Sequence, residues 1–365
     1  MKRKIYSTLG IILFLLMFAF MIFNPMCITN HCKNAILMCA HSIVPSLFMF
    51  TVFSTMLSEI CKKTDSSGKV LTFLSKLFGI DKKLIPQCLF GLFAGACPAS
   101  PGLINIYSSG GVSKQNTENA LMLLSGCSVP FIITVCSNVL ESKELGLLLL
   151  ISNFLSVLTS FFILCKRDNN STKVKSLEST EKSNFFNIIG KSLENSTVNT
   201  FNMCSYIIFF SVLSGAVCDI VAKLGINNSL VETFLFGLFE ASSGVIHSSS
   251  LFGNERIMLV CFICAFSGIS IIFQIAGICS PYGISIKKFI SSRLLSSILC
   301  PLYMLIFMMV MPFDITCFTH TTELERNIAG MSQNSLILTF ITSVVVYTVA
   351  LFIVIDKKHK KSVQN

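Results

Sequence analysis

The chain has 365 residues, of which 53% are apolar and only 13% charged, and its mean hydropathy is +0.74. An ordinary soluble domain carries about a quarter charged residues, so this composition excludes a cytosolic enzyme or a nucleic-acid reader and suits a bilayer as solvent. The formal net charge of +10 takes its meaning from where the Lys and Arg sit along the chain.

Lys2, Arg3 and Lys4 precede an apolar run from Ile5 to Phe23. No small-x-small cleavage site follows it, so the run reads as a retained first transmembrane helix and not as a signal peptide. A short external loop comes next and holds Cys27 and Cys32, the two of the 16 Cys placed to pair. Most of the others lie within apolar runs, where Cys reads as a small buried hydrophobe. Further runs long enough to cross a hydrocarbon core of about 30 Å are 36–60, 119–140, 145–165, 201–222, 256–281, 289–312 and 335–355. Two apolar segments, 85–108 and 231–252, are interrupted by Gly, Pro and Ser. Each either crosses once or enters and returns as a broken hairpin, which is allowed at membrane depth only where protein or a wet cavity receives the freed backbone groups. The stretch 166–200 is polar, with little periodicity until Phe185, and reads as a flexible cytoplasmic linker.

The distribution of positive charge favours the hairpin reading. With both interrupted segments as hairpins and the N-terminus inside, 23 Lys and Arg fall on the inside and 5 outside; with both crossing fully the split is 18 against 10.

Internal similarity then organises the chain. The eleven residues from Phe50 to Ile60 align without a gap on those from Phe210 to Ile220. Leu89-Phe90-Gly91-Leu92-Phe93 recurs as Leu235-Phe236-Gly237-Leu238-Phe239, and Ser125-Gly126-Cys127-Ser128 recurs as Ser267-Gly268-Ile269-Ser270. The three matches keep their order at offsets of 160, 146 and 142. Each half is therefore expected to hold a helix, a Gly-rich hairpin, a helix carrying Ser-Gly-x-Ser and a closing helix. In the hairpin topology the two leading helices run in opposite directions, so the halves are inverted. Inverted repeats with broken helices are the layout of many secondary transporters, with substrate at the repeat interface.

Glu240 follows the second Leu-Phe-Gly-Leu-Phe directly. A carboxyl at bilayer depth costs on the order of 3 kcal/mol and marks a pathway or a site; in a shallow hairpin it would instead touch interfacial water. The equivalent position in the first half is Ala94. Ser242, Ser243 and Gly244 supply hydroxyls and loosened backbone at the second hairpin tip, as Pro98 and Ser100 do at the first. Freed carbonyls there would bind a cation or solute hydroxyls, and half-helix N-termini favour anionic groups; a static kink is the alternative. Ser125 and Ser128, and Ser270 with Gln274, place polar groups inside otherwise apolar helices, for ligand contact or for bonding between helices. Ser267, Ser270 and Gln274 share one helix face.

Gly95-x-x-Pro98-x-x-x-Gly102, the turn Gly110-Gly111-Val112-Ser113 with the helix ending Ser125-x-x-Ser128-x-Pro130, Phe239-Glu240-Ala241-Ser242-Ser243-Gly244, and Ser267-Gly268-Ile269-Ser270-x-x-x-Gln274 together resemble the YlbJ-type sporulation integral membrane proteins. These belong to the wider group with nucleoside-recognition (Gate) domains. The resemblance covers about 40–312. It departs at Ala96-Cys97, where the family usually shows a Gly-Tyr-Pro-like run, and at Ser128, where Asn is common. It implies a role in building heat-resistant spores and a plan similar to that of concentrative nucleoside transporters.

The expected architecture is an all-α polytopic membrane protein built on an inverted repeat of helix, re-entrant hairpin, helix and helix. Residues 1–35 hold the N-terminal helix and external loop, 36–165 the first Gate-like repeat, 166–200 the linker and 201–312 the second repeat. Residues 313–365 hold an external loop, the last helix and a basic cytoplasmic tail. The expected function is a secondary transporter or gated permease for a small polar solute needed in spore formation, in the cell membrane, with both termini cytoplasmic. The alternative is a non-transporting scaffold of the sporulation machinery with a transporter-derived fold. The candidate site residues are Glu240, Ser242, Ser243, Gly244, Ser270, Gln274, Pro98, Ser100, Ser125 and Ser128. No organic cofactor is expected, and sodium or a proton would serve as coupling cation. The bilayer and the solute are the expected partners, with a second copy of the chain or other sporulation proteins left open and nucleic acid excluded. No zinc-protease, P-loop or nucleophile-elbow motif is present, and an enzyme is not expected.

The charge split has a direct test. A label at Lys175 should react from outside only after the membrane is permeabilised; labelling in intact cells would reverse the hairpin topology.

Overall fold

Two helices of equal length set the frame. In the computed structural model, which describes residues 18, 22–63, 68–165 and 185–310, Pro25 opens α1, Pro25–Met38. Its fixed φ and missing donor suit a first helical position. A π turn at Cys39–Ile43 leads without interruption into α2, Val44–Lys63. The expected external loop around Cys32 is thus helical, and Cys32 is a free thiol. The run 25–63 matches Phe185–Lys223, a single helix of 39 residues, at the same offset of 160 that relates Phe50 to Phe210. The last part of the expected flexible linker, 185–200, is therefore the opening of a long helix; its remainder lies outside the described residues, as do 335–355 and most of 5–23.

Further elements in chain order are α3 (Lys69–Phe78), α4 (Ile85–Ala94), α5 (Ala96–Ser108), α6 (Lys114–Met122), α7 (Val129–Val139) and α8 (Lys143–Leu164). After α9, which is Phe185–Lys223, come α10 (Ser229–Phe239), α11 (Ala241–His247), α12 (Gly253–Phe266), α13 (Gly268–Cys279) and α14 (Lys287–Val310). All regular structure among the described residues is helical. Polar side chains start several of these helices by accepting from first-turn amides: Ser113 from Asn116 N, Ser128 from Phe131 N, Ser142 from Leu145 N and Asn228 from Leu230 N.

Four helical segments, Lys143–Leu164, Phe186–Lys223, Gly253–Tyr282 (α12 and α13 taken together) and Lys287–Val310, are long and apolar enough to cross a bilayer, which marks a membrane protein. Large apolar side chains such as Phe201, Phe209, Leu294, Ile298 and Met309 face outward along them, where lipid replaces water as their surroundings.

The two 39-residue runs pack antiparallel. Thr51 meets Thr200 at 3.4 Å, Thr55 meets Ser196 at 2.9 Å, and His31 faces Asp219 at 3.6 Å near the far end. The helices α8 and α14, which both begin at a Lys, repeat this arrangement: Ser160 accepts from Ser296 at 2.9 Å and Ser152 lies 4.0 Å from Met304 Sδ.

Between these crossings sit two helical hairpins. In the first, Gln87 Nε2 donates to Ala99 O at 3.1 Å, and a Cβ on Gly91 would lie 2.9 Å from that of Ala99, so α4 and α5 fold back on each other about Gly95. In the second, Thr233 Oγ1 and His247 Nδ1 are 3.0 Å apart and Gly244 packs on the backbone of Gly237, so α10 and α11 fold back about Glu240. Arms of 10, 13, 11 and 7 residues reach only about 11–20 Å at 1.5 Å per residue, too short to cross alone.

The expected continuous spans 119–140 and 256–281 are both broken at their Ser-Gly motif. The helix α6 stops at Met122, and Ser125 N turns away to Gly91 O at 3.1 Å. In the second half Ser267 and Gly268 adopt φ of 78° and 79°, a left-handed conformation that ends α12.

Two arginines counted as loop charges in the sidedness tally are buried instead. Arg256 is 3% exposed and binds Leu251 O, Val139 O and Ser249 O as well as Glu141 Oε1 at 2.8 Å. Arg293 is fully buried, its Nη2 3.5 Å from Met122 O at the end of α6. Both place a cation at the negative end of an interrupted helix. Replacing Arg256 by Leu should leave three carbonyls and a carboxylate without their donor, a loss of about 3 kcal/mol or more. The expected readout is a lower melting temperature and a smaller monodisperse fraction in size-exclusion chromatography, whereas an unchanged profile would refute the anchoring role.

Candidate functional site

Four helix breaks meet at one place. At Gly95, φ is +89°, and a side chain there would meet Ser128 N at 3.2 Å, so the first hairpin tip rests on the first Ser-Gly break. At Gly268 an added Cβ would lie 3.1 Å from Ala241 N and 3.2 Å from Phe239 O, so the second hairpin tip rests on the second break. Gly126 closes the chain of contacts by packing directly on Ser267 Oγ and Cys264 O.

A cavity of about 560 Å³, counting its open mouth, lies among these tips. Its polar lining comes from Glu240, Ser242, Gln274, Ser128, Cys97 and Cys127, and Ile43, Leu47, Met203 and Ile207 of the long crossing helices wall it. Five of the ten sequence-derived candidates, Pro98, Ser128, Glu240, Ser242 and Gln274, therefore converge on one space.

Glu240 is 2% exposed and caps its own helix. Its Oε1 accepts from Ser242 N at 3.1 Å and its Oε2 from Ser243 N at 2.6 Å. The charge is thus met by amides and the N-terminal dipole of α11, and no cationic side chain pairs with it among the described residues. The first hairpin does the reverse: α5 starts at Gly95 with no side-chain cap. Gln274 is 3% exposed; its Nε2 donates to Ser270 Oγ at 3.2 Å, and its Oε1 has no partner among the described residues.

The other candidates stand one layer back. Ser243 Oγ bonds Ser211 Oγ of α9 at 2.9 Å, Ser100 Oγ turns to Cys97 O at 3.5 Å, and Ser270 holds Gln274 in place. Ser125 Oγ donates to Cys127 O at 2.8 Å and accepts from Asn153 Nδ2 at 2.9 Å, which fixes the shape of the break. Gly244 does not face the cavity; its missing side chain lets α11 lie on Gly237 of α10. Cys97, at the first hairpin tip, and Cys127, in the first Ser-Gly motif, also line the cavity. Their position one or two residues beyond Gly95 and Gly126 was the available signal. Asn153 is hidden in sequence by the apolar run around it, although an amide at such depth needs partners.

No protein-family model, no curated protein and no solved structure matches the chain.

The geometry separates packing from lining positions. Gly244→Leu should sharply reduce the amount of folded protein, because even a Cβ overlaps Gly237, whereas Gln274→Leu should accumulate near the wild-type level. Immunoblots of membranes beside size-exclusion profiles test the pair; equal accumulation of the two variants would contradict the assignment.

Proposed function

We propose that the chain is a secondary transporter or gated permease for a small polar solute, and that the cavity between the four helix breaks is where the solute binds. The observation that carries the reading is the convergence of interrupted backbone from both halves on one space with a buried carboxyl and a carboxamide in its wall. Backbone broken at depth is tolerated where it lines a cavity, and transporters place their sites at such junctions.

The proposal includes an inverted repeat of the kind found in concentrative nucleoside transporters. Antiparallel crossing of the equivalent runs 25–63 and 185–223, and again of α8 and α14, supports a pseudo-two-fold axis along the membrane plane. An element that packs antiparallel on its own repeat is what inversion requires. In this reading α4–α5 and α10–α11 are re-entrant, the molecule lies in the cell membrane with both termini cytoplasmic, and it acts in spore formation as the YlbJ-type resemblance implies. Glu240 takes the coupling cation, a sodium ion or a proton, because it is the one acidic group in the cavity wall among the described residues. A scaffold role is the second reading, favoured by the full use of both Glu240 oxygens as a helix cap.

Glu240→Gln keeps one oxygen to accept from the α11 amides and loses the charge. Its protein level should stay near that of the wild type while solute flux in proteoliposomes, or recovery of heat-resistant spores in a complementation assay, falls about tenfold or more. Full flux in the Glu240→Gln variant would remove Glu240 from the mechanism, and full sporulation without any flux in the wild type would favour the scaffold.

A further inference from the structure

We infer that the cavity selects a small neutral solute carrying an amide-type edge, an N–H beside a C=O, and that Gln274 is the residue that reads it. The inference rests on the solute-binding reading above and names the class of solute.

Three observations define the complement. The first is the orphaned carboxamide oxygen: Gln274 lines the cavity, is 3% exposed, spends its Nε2 on Ser270 and leaves Oε1 unpaired among the described residues. A buried acceptor without a donor is unfavourable by about 1–3 kcal/mol, and an occupant with an N–H or O–H would relieve it. The second is the bare start of α5. Gly95 offers no side-chain cap, the first-turn amides of Ala96 and Cys97 have no intrahelical acceptor, and Pro98 has no N–H at all. Gly95, Ala96, Cys97 and Pro98 all line the same cavity, so an occupant with an acceptor oxygen would meet a helix N-terminus of 13 residues and its partial positive charge. The third is the Glu240 carboxyl in the same wall.

Together these exclude simpler occupants. An anion would satisfy α5 but would share one cavity wall with the Glu240 carboxyl and would leave Gln274 Oε1 without a donor. A bare organic cation would suit Glu240 and Gln274 yet offer nothing to the α5 amides. A neutral edge with donor and acceptor side by side serves both, its N–H meeting Gln274 Oε1 and its C=O the first-turn amides of α5. Each Glu240 oxygen accepts one α11 amide and keeps a second lone pair for the coupling ion. The two halves then have different tasks: the second hairpin neutralises its own helix start with Glu240, while the first leaves its helix start open for the solute.

The test uses the purified full-length protein in nanodiscs, with sodium and pH held constant. Hydantoin and succinimide present neutral N–H/C=O edges; benzoate and benzylammonium are anionic and cationic probes of similar size. At about 10 mM, suited to fragments with affinities near the millimolar range, hydantoin or succinimide should raise the melting temperature of the wild type by about 2 °C or more. Both should also slow maleimide modification of Cys97, followed site by site by mass spectrometry. Gln274→Leu should lose both effects, and Gln274→Asn should retain part of them. Benzoate and benzylammonium should do neither. Stabilisation and Cys97 protection by a charged probe alone would overturn the solute class and leave the cavity reading standing. Loss of neither effect in Gln274→Leu would overturn the role of Gln274. No effect from any probe would also overturn the inference, and the flux measurement would then decide the permease reading separately.

Discussion

Lipid supplies no hydrogen bonds, so a helix that stops inside the membrane must find partners for the amides and carbonyls it frees. Several helix ends of this molecule are met by side chains in this way. The helix α6 ends at Met122, and Arg293 comes to its last carbonyls. The end of α7 at Val139 is met by Arg256. The start of α11 is met by Glu240, and the amide of Ser125 turns to Gly91. The start of α5 lacks such a side chain, as does that of α13, and the α5 start opens on the cavity. Burying arginines and a glutamate in a membrane protein is costly when they are isolated; at helix ends they are neither isolated nor interchangeable, because each sign of charge matches the dipole it faces.

The same demand explains the glycines. A hairpin of short helices must bring its arms close enough to exclude lipid, and side chains stand in the way. Gly91 against Ala99 and Gly237 against Gly244 remove them at matching places in the two halves. At Gly95 and Gly268 the requirement is conformational as well, since both carry positive φ while touching a neighbouring break. The identical pentapeptides Leu89–Phe93 and Leu235–Phe239 therefore lie in the first arms of two hairpins whose turns, at Gly95 and Glu240, differ in chemistry.

Much of this was legible in the residues. The offset of 160 between Phe50 and Phe210 extends in the fold to two runs of 39 residues, the charge distribution favoured hairpins where α4–α5 and α10–α11 fold back, and Glu240 and Gln274 stood out because polar groups are rare in such surroundings. Hydropathy hid other things. A run such as 119–140 stays apolar whether its backbone is continuous or broken, so the stops at Met122 and Ser267 were invisible to it, although Ser-Gly in both was their chemical trace. Charge counting treats Arg256 and Arg293 as loop residues because it cannot see a carbonyl that needs them. The helix at 185–200 was hidden by its polar composition, and its start at Phe185 was the sole periodic sign.

Hydroxyl groups line the two antiparallel helix seams. Where α2 crosses α9, and where α8 crosses α14, the contact is made by Thr51, Thr55, Ser196, Thr200, Ser160 and Ser296. Several of these hydroxyls, and their neighbours, are already engaged by a carbonyl three or four residues back, as Thr51 is with Leu47 and Thr55 with Thr51. Bonds made within a helix travel with it and do not resist sliding. Hydroxyls spaced four residues apart also present nearly the same surface after a displacement of one turn, about 5.4 Å. A displacement of one turn along the α2–α9 seam would thus bring hydroxyls against hydroxyls again, after breaking the Thr51–Thr200 and Thr55–Ser196 contacts now made.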